Sequence, residues 1–172
     1  MRMCNSIVIN KPADEIWELL GPNFVRVADW MAATPRSEEK TEGTPLPGAP
    51  AVGRRSYLMA KFNGMYQDET ITKYDADARL LNFDVVLKKG PAVMPISGYL
   101  AEFTVEMIDA TTSRVSLDAT AHLRLLGYFM YPVVKKGLNA GFIRYLEEIK
   151  HYSETGRPHP RKVQSMQEEA AA

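Results

Sequence analysis

The stretch Tyr128–Glu154, YFMYPVVKKGLNAGFIRYLEEIKHYSE, constrains the rest of the chain most. Its large apolar residues Met130, Val133, Val134, Leu138, Phe142, Tyr145, Leu146 and Ile149 recur in steps of three and four. That spacing lines them along one side of a helix. The other side carries Lys135, Lys136, Arg144, Glu147, Glu148 and Lys150. Pro132 suits only the helix start, where a missing N–H costs little. Gly156, Pro158 and Pro160 mark the end. From Pro132 to Ser153, at ~1.5 Å per residue, this helix runs ~33 Å, long enough to lie across a whole sheet.

Gly137, Ala140 and Gly141 interrupt the stripe. A mid-helix glycine costs roughly 1 kcal/mol against alanine, so these residues need a reason. Either a neighbouring element packs closely on them, or they leave room under the helix for something that is not protein. With Lys135 and Lys136 alongside, the spacing does not describe a membrane helix.

The preceding chain predicts the sheet. Ser6–Asn10 is a short β-branched strand. Two short helices follow, Ala13–Leu20 and Phe24–Met31, the first with Asp14 and Glu15 in its first turn and the second capped by Asn23. Arg36–Glu42 is a polar edge strand. Thr44–Gly53 is a Pro/Gly loop. Strands are then expected at Arg54–Lys61, Met65–Tyr74, Arg79–Leu87, Gly98–Ile108 and Ser113–Leu125, joined by short turns and the loop Lys88–Ser97. Seven strands so connected imply an antiparallel sheet. Leu81, Phe83 and Val85 share one face, as do Tyr99, Ala101, Phe103, Val105 and Met107, and Val115, Leu117, Ala119, Ala121 and Leu123. These faces match the stripe of the last helix. Residues 1–155 make one domain. Residues 156–172 have little to bury and are expected to form a mobile C-terminal tail, with a weak helix at its end.

Lys and Arg number 21 against 21 Asp and Glu, so no nucleic-acid surface is expected. A lone Cys4 excludes an internal disulfide and fits a reducing, cytoplasmic compartment. MRMCNSIVIN lacks the apolar run of a signal peptide, and no window approaches roughly 18 apolar residues, so no integral membrane span is expected. His122, His151 and His159 show no metal-site spacing. No phosphate loop, nucleophile elbow or dinucleotide fingerprint occurs. No metal or cofactor is expected.

The element order, with SIVINKPADEIWELL at its start, Phe24–Trp30, YQDETITKYDADARLLNFDVV and GPAVMPISGYLAEFTVE, resembles the START / polyketide-cyclase / Bet v 1 superfamily over about residues 4 to 155. Within it the pattern is similar to the bacterial polyketide-cyclase-like branch and to plant abscisic-acid-receptor-like relatives. The resemblance implies an α+β helix-grip fold, in which a curved seven-stranded antiparallel sheet wraps a long C-terminal helix. It also implies a cavity between the two. The mouth would be framed by Lys61–Gly64, with Phe62 and Gly64, and by Gly90–Ile96, with Met94, Pro95 and Ile96. A cavity of ~300–1,000 Å³ would be lined by Trp30, Gln67, Phe83, Phe103, Met130, Val134, Leu138 and Gly141.

Glu69 and Tyr99 are the candidate proton-handling residues. If Ile71 points inward, period two carries Gln67 and Glu69 inward as well; the alternative inner face is Tyr66, Thr70 and Thr72. The resemblance to receptor-like relatives implies an inward glutamate here, in an E-R-L context that Glu69-Thr70-Ile71 matches only in part. A buried Glu69 serves as general acid or base, or holds a ligand hydroxyl. Tyr99 offers one hydrogen bond from an apolar wall. Arg55, Tyr57 and Lys61 share a face: turned inward they suit a carboxylate ligand, turned outward they are surface charges. The expected function is binding of a hydrophobic small molecule such as a lipid, polyketide or aromatic metabolite. The alternatives are a cyclase/aromatase-type enzyme working largely through orientation, and a regulatory protein docking a partner through residues 90–96.

Overall fold

Among the described residues, seven strands form one antiparallel sheet in the order β1-β7-β6-β5-β4-β3-β2. They are β1 (Arg2–Ile9), β2 (Arg36–Glu39), β3 (Gly53–Tyr57), β4 (Tyr66–Asp75), β5 (Leu80–Lys88), β6 (Ile96–Met107) and β7 (Ser113–Leu123). The structure, a computed structural model, describes residues 1–59, 62 and 64–170. Helix α1 (Ala13–Leu20) and a 3₁₀ segment (Phe24–Asp29) follow β1. After β7 come α2 (Leu125–Phe129), α3 (Tyr131–Thr155) and α4 (Pro160–Ala170). This is the helix-grip fold.

Strand alternation positions the core. Leu81, Phe83 and Val85 of β5, Ala101, Phe103 and Val105 of β6, and Val115, Leu117, Ala119 and Ala121 of β7 are all buried. Val134, Phe142, Leu146 and Ile149 of α3 pack into the same core. Met107, expected inward, is exposed at the end of β6.

The long helix begins at Tyr131, not Tyr128. Pro132 stands in its first turn, and a proline there cannot bond back to the carbonyl four residues earlier. The chain therefore makes the separate short α2 first and turns at Met130. At the other end, Gly156 takes the left-handed conformation at φ 68°, and its N–H bonds the Tyr152 carbonyl at 2.8 Å.

Neither explanation of the small residues in α3 describes the two glycines. Gly137 and Gly141 lie on the exposed side, and a Cβ at either would meet no atom within 4 Å. They mark neither tight packing nor a hollow beneath the helix.

The tail expectation is also corrected. Residues 160–170 form α4, which docks on the domain. The Lys162 ammonium, almost wholly buried, donates to the Thr34 carbonyl at 2.8 Å. Arg161 pairs with Glu147 at 2.7 Å and Glu148 at 3.2 Å. Polar side chains hold this helix by pairing, which low hydrophobicity does not reveal.

Candidate functional site

Gly53 brings β3 against β4. A Cβ at Gly53 would sit 1.9 Å from the Glu69 carbonyl oxygen, so only glycine permits this approach. The next residue, Arg54, is the register partner of Glu69. Both side chains point into the core and are buried. Arg54 donates from Nε and Nη2 to Glu69 Oε2 at 2.9 and 2.8 Å. Ser56 Oγ donates to Glu69 Oε1. Arg54 Nη1 donates to the Phe24 carbonyl, and the guanidinium lies 4.0 Å from the Phe24 ring centre. The ion pair is thus ringed by donors, acceptors and an aromatic face, as a buried pair requires.

Two phenols adjoin it. Tyr99 and Tyr145 are half-buried as residues, yet their phenol oxygens lie fully inside. Burial pushes the Tyr99 phenol well above its usual range, and the Glu69 charge adds to this; Gln67 bonds it and works the other way. Burial likewise raises Tyr145, whose oxygen faces Arg54. Burial also works against the Arg54 charge, but Glu69 and Tyr145 outweigh it and hold the guanidinium above its ordinary value. Both phenols therefore stay protonated and able to donate through the neutral range.

Arg54, Gln67, Tyr99 and Tyr145 border a void of about 20 Å³, room for one water, whose apolar lining includes Met31, Phe83, Phe103 and Phe142. Met31 and Tyr145 also line a second space. It is a half-open cleft of about 320 Å³ between α3, α4 and the chain after the 3₁₀ segment. Gly141, Phe62, Glu148 and Arg161 border it. Glu148 Oε2 accepts the Ala32 N–H at 2.9 Å, tying α3 to the cleft wall.

A family model for polyketide cyclase / dehydrase and lipid transport matches residues 2–154. The chain belongs to that family. Its fold is shared by the Zhui aromatase/cyclase of a Streptomyces species, at 15% identity and TM-score 0.68 over 90% of this chain and 93% of the other. The di-domain ARO/CYC BexL matches at 16% identity and TM-score 0.69, over 88% of this chain and 45% of its own. Norcoclaurine synthase from Thalictrum flavum, solved with dopamine and hydroxybenzaldehyde, matches at 15% identity and TM-score 0.61, over 88% of this chain and 84% of the other. At these identities the likeness shows the fold alone. No curated protein matches the chain in sequence.

In this polyketide-cyclase family member the residues singled out from sequence fall into three groups. Gln67 and Tyr99 line the inner void, while Glu69 stands behind it, bonded to Arg54; Glu69 and Ile71 are both buried, so Tyr66, Thr70 and Thr72 are not the inner face. Trp30, Phe83 and Phe103 fill the core instead of bordering a large cavity. Trp30 meets Tyr145 edge-on at 5.1 Å, Phe83 stacks on Phe103 at 6.0 Å, and Tyr99 meets Phe142 at 5.3 Å. These rings reduce the inner space to one water's volume. The third group lies elsewhere: Val134 is buried and Leu138 half-buried, but Met130 is exposed and Gly141 borders the outer cleft.

Of the mouth residues, Phe62 borders the cleft, and Gly64 turns with φ 74°. Lys61 lies outside the described residues. Met94 and Pro95 are half-buried and Ile96 is buried in β6, so residues 90–96 fold back on the sheet end. Arg55 and Tyr57 face outward: Arg55 meets Glu38 and Glu42 at 3.6 and 3.9 Å. The inward cation is Arg54, which together with Ser56, Met31 and Tyr145 the sequence reading did not place at the site. β3 is polar on both faces, so alternation alone chose neither. The available signal was Gly53 beside Arg54, opposite an inward acid.

Proposed function

We propose that this chain binds a hydrophobic small molecule carrying a carbonyl or hydroxyl oxygen, such as a polyketide, an aromatic metabolite or a lipid. The molecule lies in the cleft and reaches the inner void. The observation that carries this is the shared wall: Met31 and Tyr145 line both the 320 Å³ cleft and the 20 Å³ void. Beyond them stand Tyr99, Gln67 and Arg54, polar groups in a void lining that is otherwise apolar. Apolar walls with a few convergent polar groups are the usual make-up of small-ligand sites. Methionine is unbranched and adaptable, which suits a partition that yields to a ligand. The family description and the relatives named for aromatase/cyclase activity support the same class of ligand.

A cyclase-type turnover is the second reading. Glu69 has both oxygens engaged by Arg54 and Ser56, so it serves by holding Arg54 in place. Proton donation to a ligand oxygen falls to the neutral Tyr99 phenol, and Arg54 stabilises the negative charge that develops there.

Native mass spectrometry of the purified protein, with titration by a hydrophobic fluorescent probe, tests the reading. A retained apolar ligand or saturable probe uptake is expected, with uptake weakened by ~10-fold or more in Met31→Trp, which closes the partition. Absence of both, or uptake unchanged by that variant, sinks it. Loss of water from a bound polyketide on incubation establishes turnover.

A further inference from the structure

Helix α2 presents an apolar surface that the core does not use. Gly127 is its buried residue. It sits against the Pro95 carbonyl, where a Cβ would come within 2.2 Å. The Arg124 N–H donates to the same carbonyl at 2.9 Å. With its glycine seated on the 90–96 loop, α2 turns its large side chains away. Leu125, Tyr128 and Phe129, with Val133 of α3 and Val93 of the loop, are between 66% and 80% exposed. Scattered exposed apolar residues are ordinary, but a contiguous group on two abutting segments marks an interaction surface.

Charge says what covers it. Residues 85–101 and 119–146, which build this end of the sheet and its helices, contain no Asp or Glu. The chain as a whole balances 21 against 21. Lys88, Lys89, Arg124, Lys135 and Lys136 stand exposed on these segments. A second copy docked by the same patch would bring like charges face to face, which disfavours a dimer. An anionic bilayer offers both an apolar layer for Phe129 and Leu125 and phosphates for the lysines. Tyr128 belongs at the boundary, where an aromatic body and a polar tip are both accommodated.

We propose that α2 and the 90–96 loop form a peripheral docking surface for a membrane containing anionic phospholipid. The apolar side chains enter the headgroup/acyl boundary, and the basic side chains pair with lipid phosphates. Among the described residues no helix is long and apolar enough to cross a membrane, so the attachment is interfacial and salt-sensitive.

The test is co-sedimentation of the full chain with two kinds of vesicle. One is phosphatidylcholine alone; the other is phosphatidylcholine with phosphatidylglycerol at roughly two to one. Binding to the anionic vesicles, weakened by salt, is expected. Phe129→Asp lowers partitioning by ~10-fold or more, and Lys135→Glu/Lys136→Glu lowers it by a similar factor. These side chains are exposed, so thermal unfolding of the variants matches the parent, and probe uptake in the cleft is retained. No binding to anionic vesicles at low salt overturns the proposal. So does binding unchanged by Phe129→Asp. A dimer of the parent that Phe129→Asp disperses also overturns it, since a second copy then covers the patch.

Discussion

Arg54 and Glu69 face each other across β3 and β4 and meet inside the core, guanidinium nitrogen to carboxylate oxygen, at 2.8 Å. Ser56 occupies the second carboxylate oxygen, and the Phe24 carbonyl takes another guanidinium proton. The pair is complete in itself, and removing either partner strands a buried charge.

Arg54→Met is therefore expected to destabilise the fold by ~3–5 kcal/mol, the usual cost of breaking one side of a buried pair. Arg54→Met/Glu69→Leu recovers much of that loss, because no charge is left alone. Urea unfolding of the two variants checks this. A single variant within about 1 kcal/mol of the parent would show that the pair is not desolvated.

Gly53→Ala tests how β3 is seated. The added methyl falls 1.9 Å from the Glu69 carbonyl oxygen, which belongs to backbone and does not move aside. A loss of ~1–3 kcal/mol is expected from the overpacking. Amide exchange should rise first in β2 and β3, the edge of the sheet. Protection unchanged in those strands would refute the close approach.

Gly141→Phe should leave the fold intact. The position is exposed, helical and free of neighbours within 4 Å of a Cβ, and replacing a helical glycine improves propensity by a few tenths of a kcal/mol. The new ring stands in the cleft beside Tyr145 and Phe62. Uptake of a hydrophobic probe is expected to fall by ~10-fold with the melting temperature unchanged or raised. Unaltered uptake would place the probe elsewhere.

Glu148 should make the α4 attachment pH-dependent. Burial raises its affinity for a proton above the ordinary carboxylate value of 4.5, although the Ala32 N–H and Arg161 oppose this. The folded state then binds the proton more tightly than the unfolded one. That contribution is fully present below about 4.5 and is lost as pH rises through the raised folded value. In Glu148→Gln the dependence over this window flattens. Denaturant midpoints of parent and variant from pH 4 upward measure it; parallel curves would count against a raised proton affinity.

Period-two strands and a period-3.6 helix were legible because each encodes which apolar side chains leave water, and that determined the sheet and the long α3 but left two inner faces open for β4, only one of which turned Glu69 inward. The remainder turned on partners distant in sequence. β3 has Arg54 and Ser56 on one face and Arg55 and Tyr57 on the other, and no hydropathy difference separates them; the register against β4, allowed by Gly53, chose Arg54. Residues 160–170 carry little to bury, yet Lys162 reaches the Thr34 carbonyl and Arg161 reaches α3, so α4 docks. The small residues of α3 gave no sign of direction, and only the turn of the helix on the sheet put Gly137 and Gly141 outside. The inner space was likewise settled by packing, as Phe103 meets Phe83 and Tyr145, and Tyr99 meets Phe142, in ring contact. Sequence patterning determines how much apolar surface is buried; the pairing of buried polar groups and the volume left between rings depend on three-dimensional register, which only the tertiary structure decides.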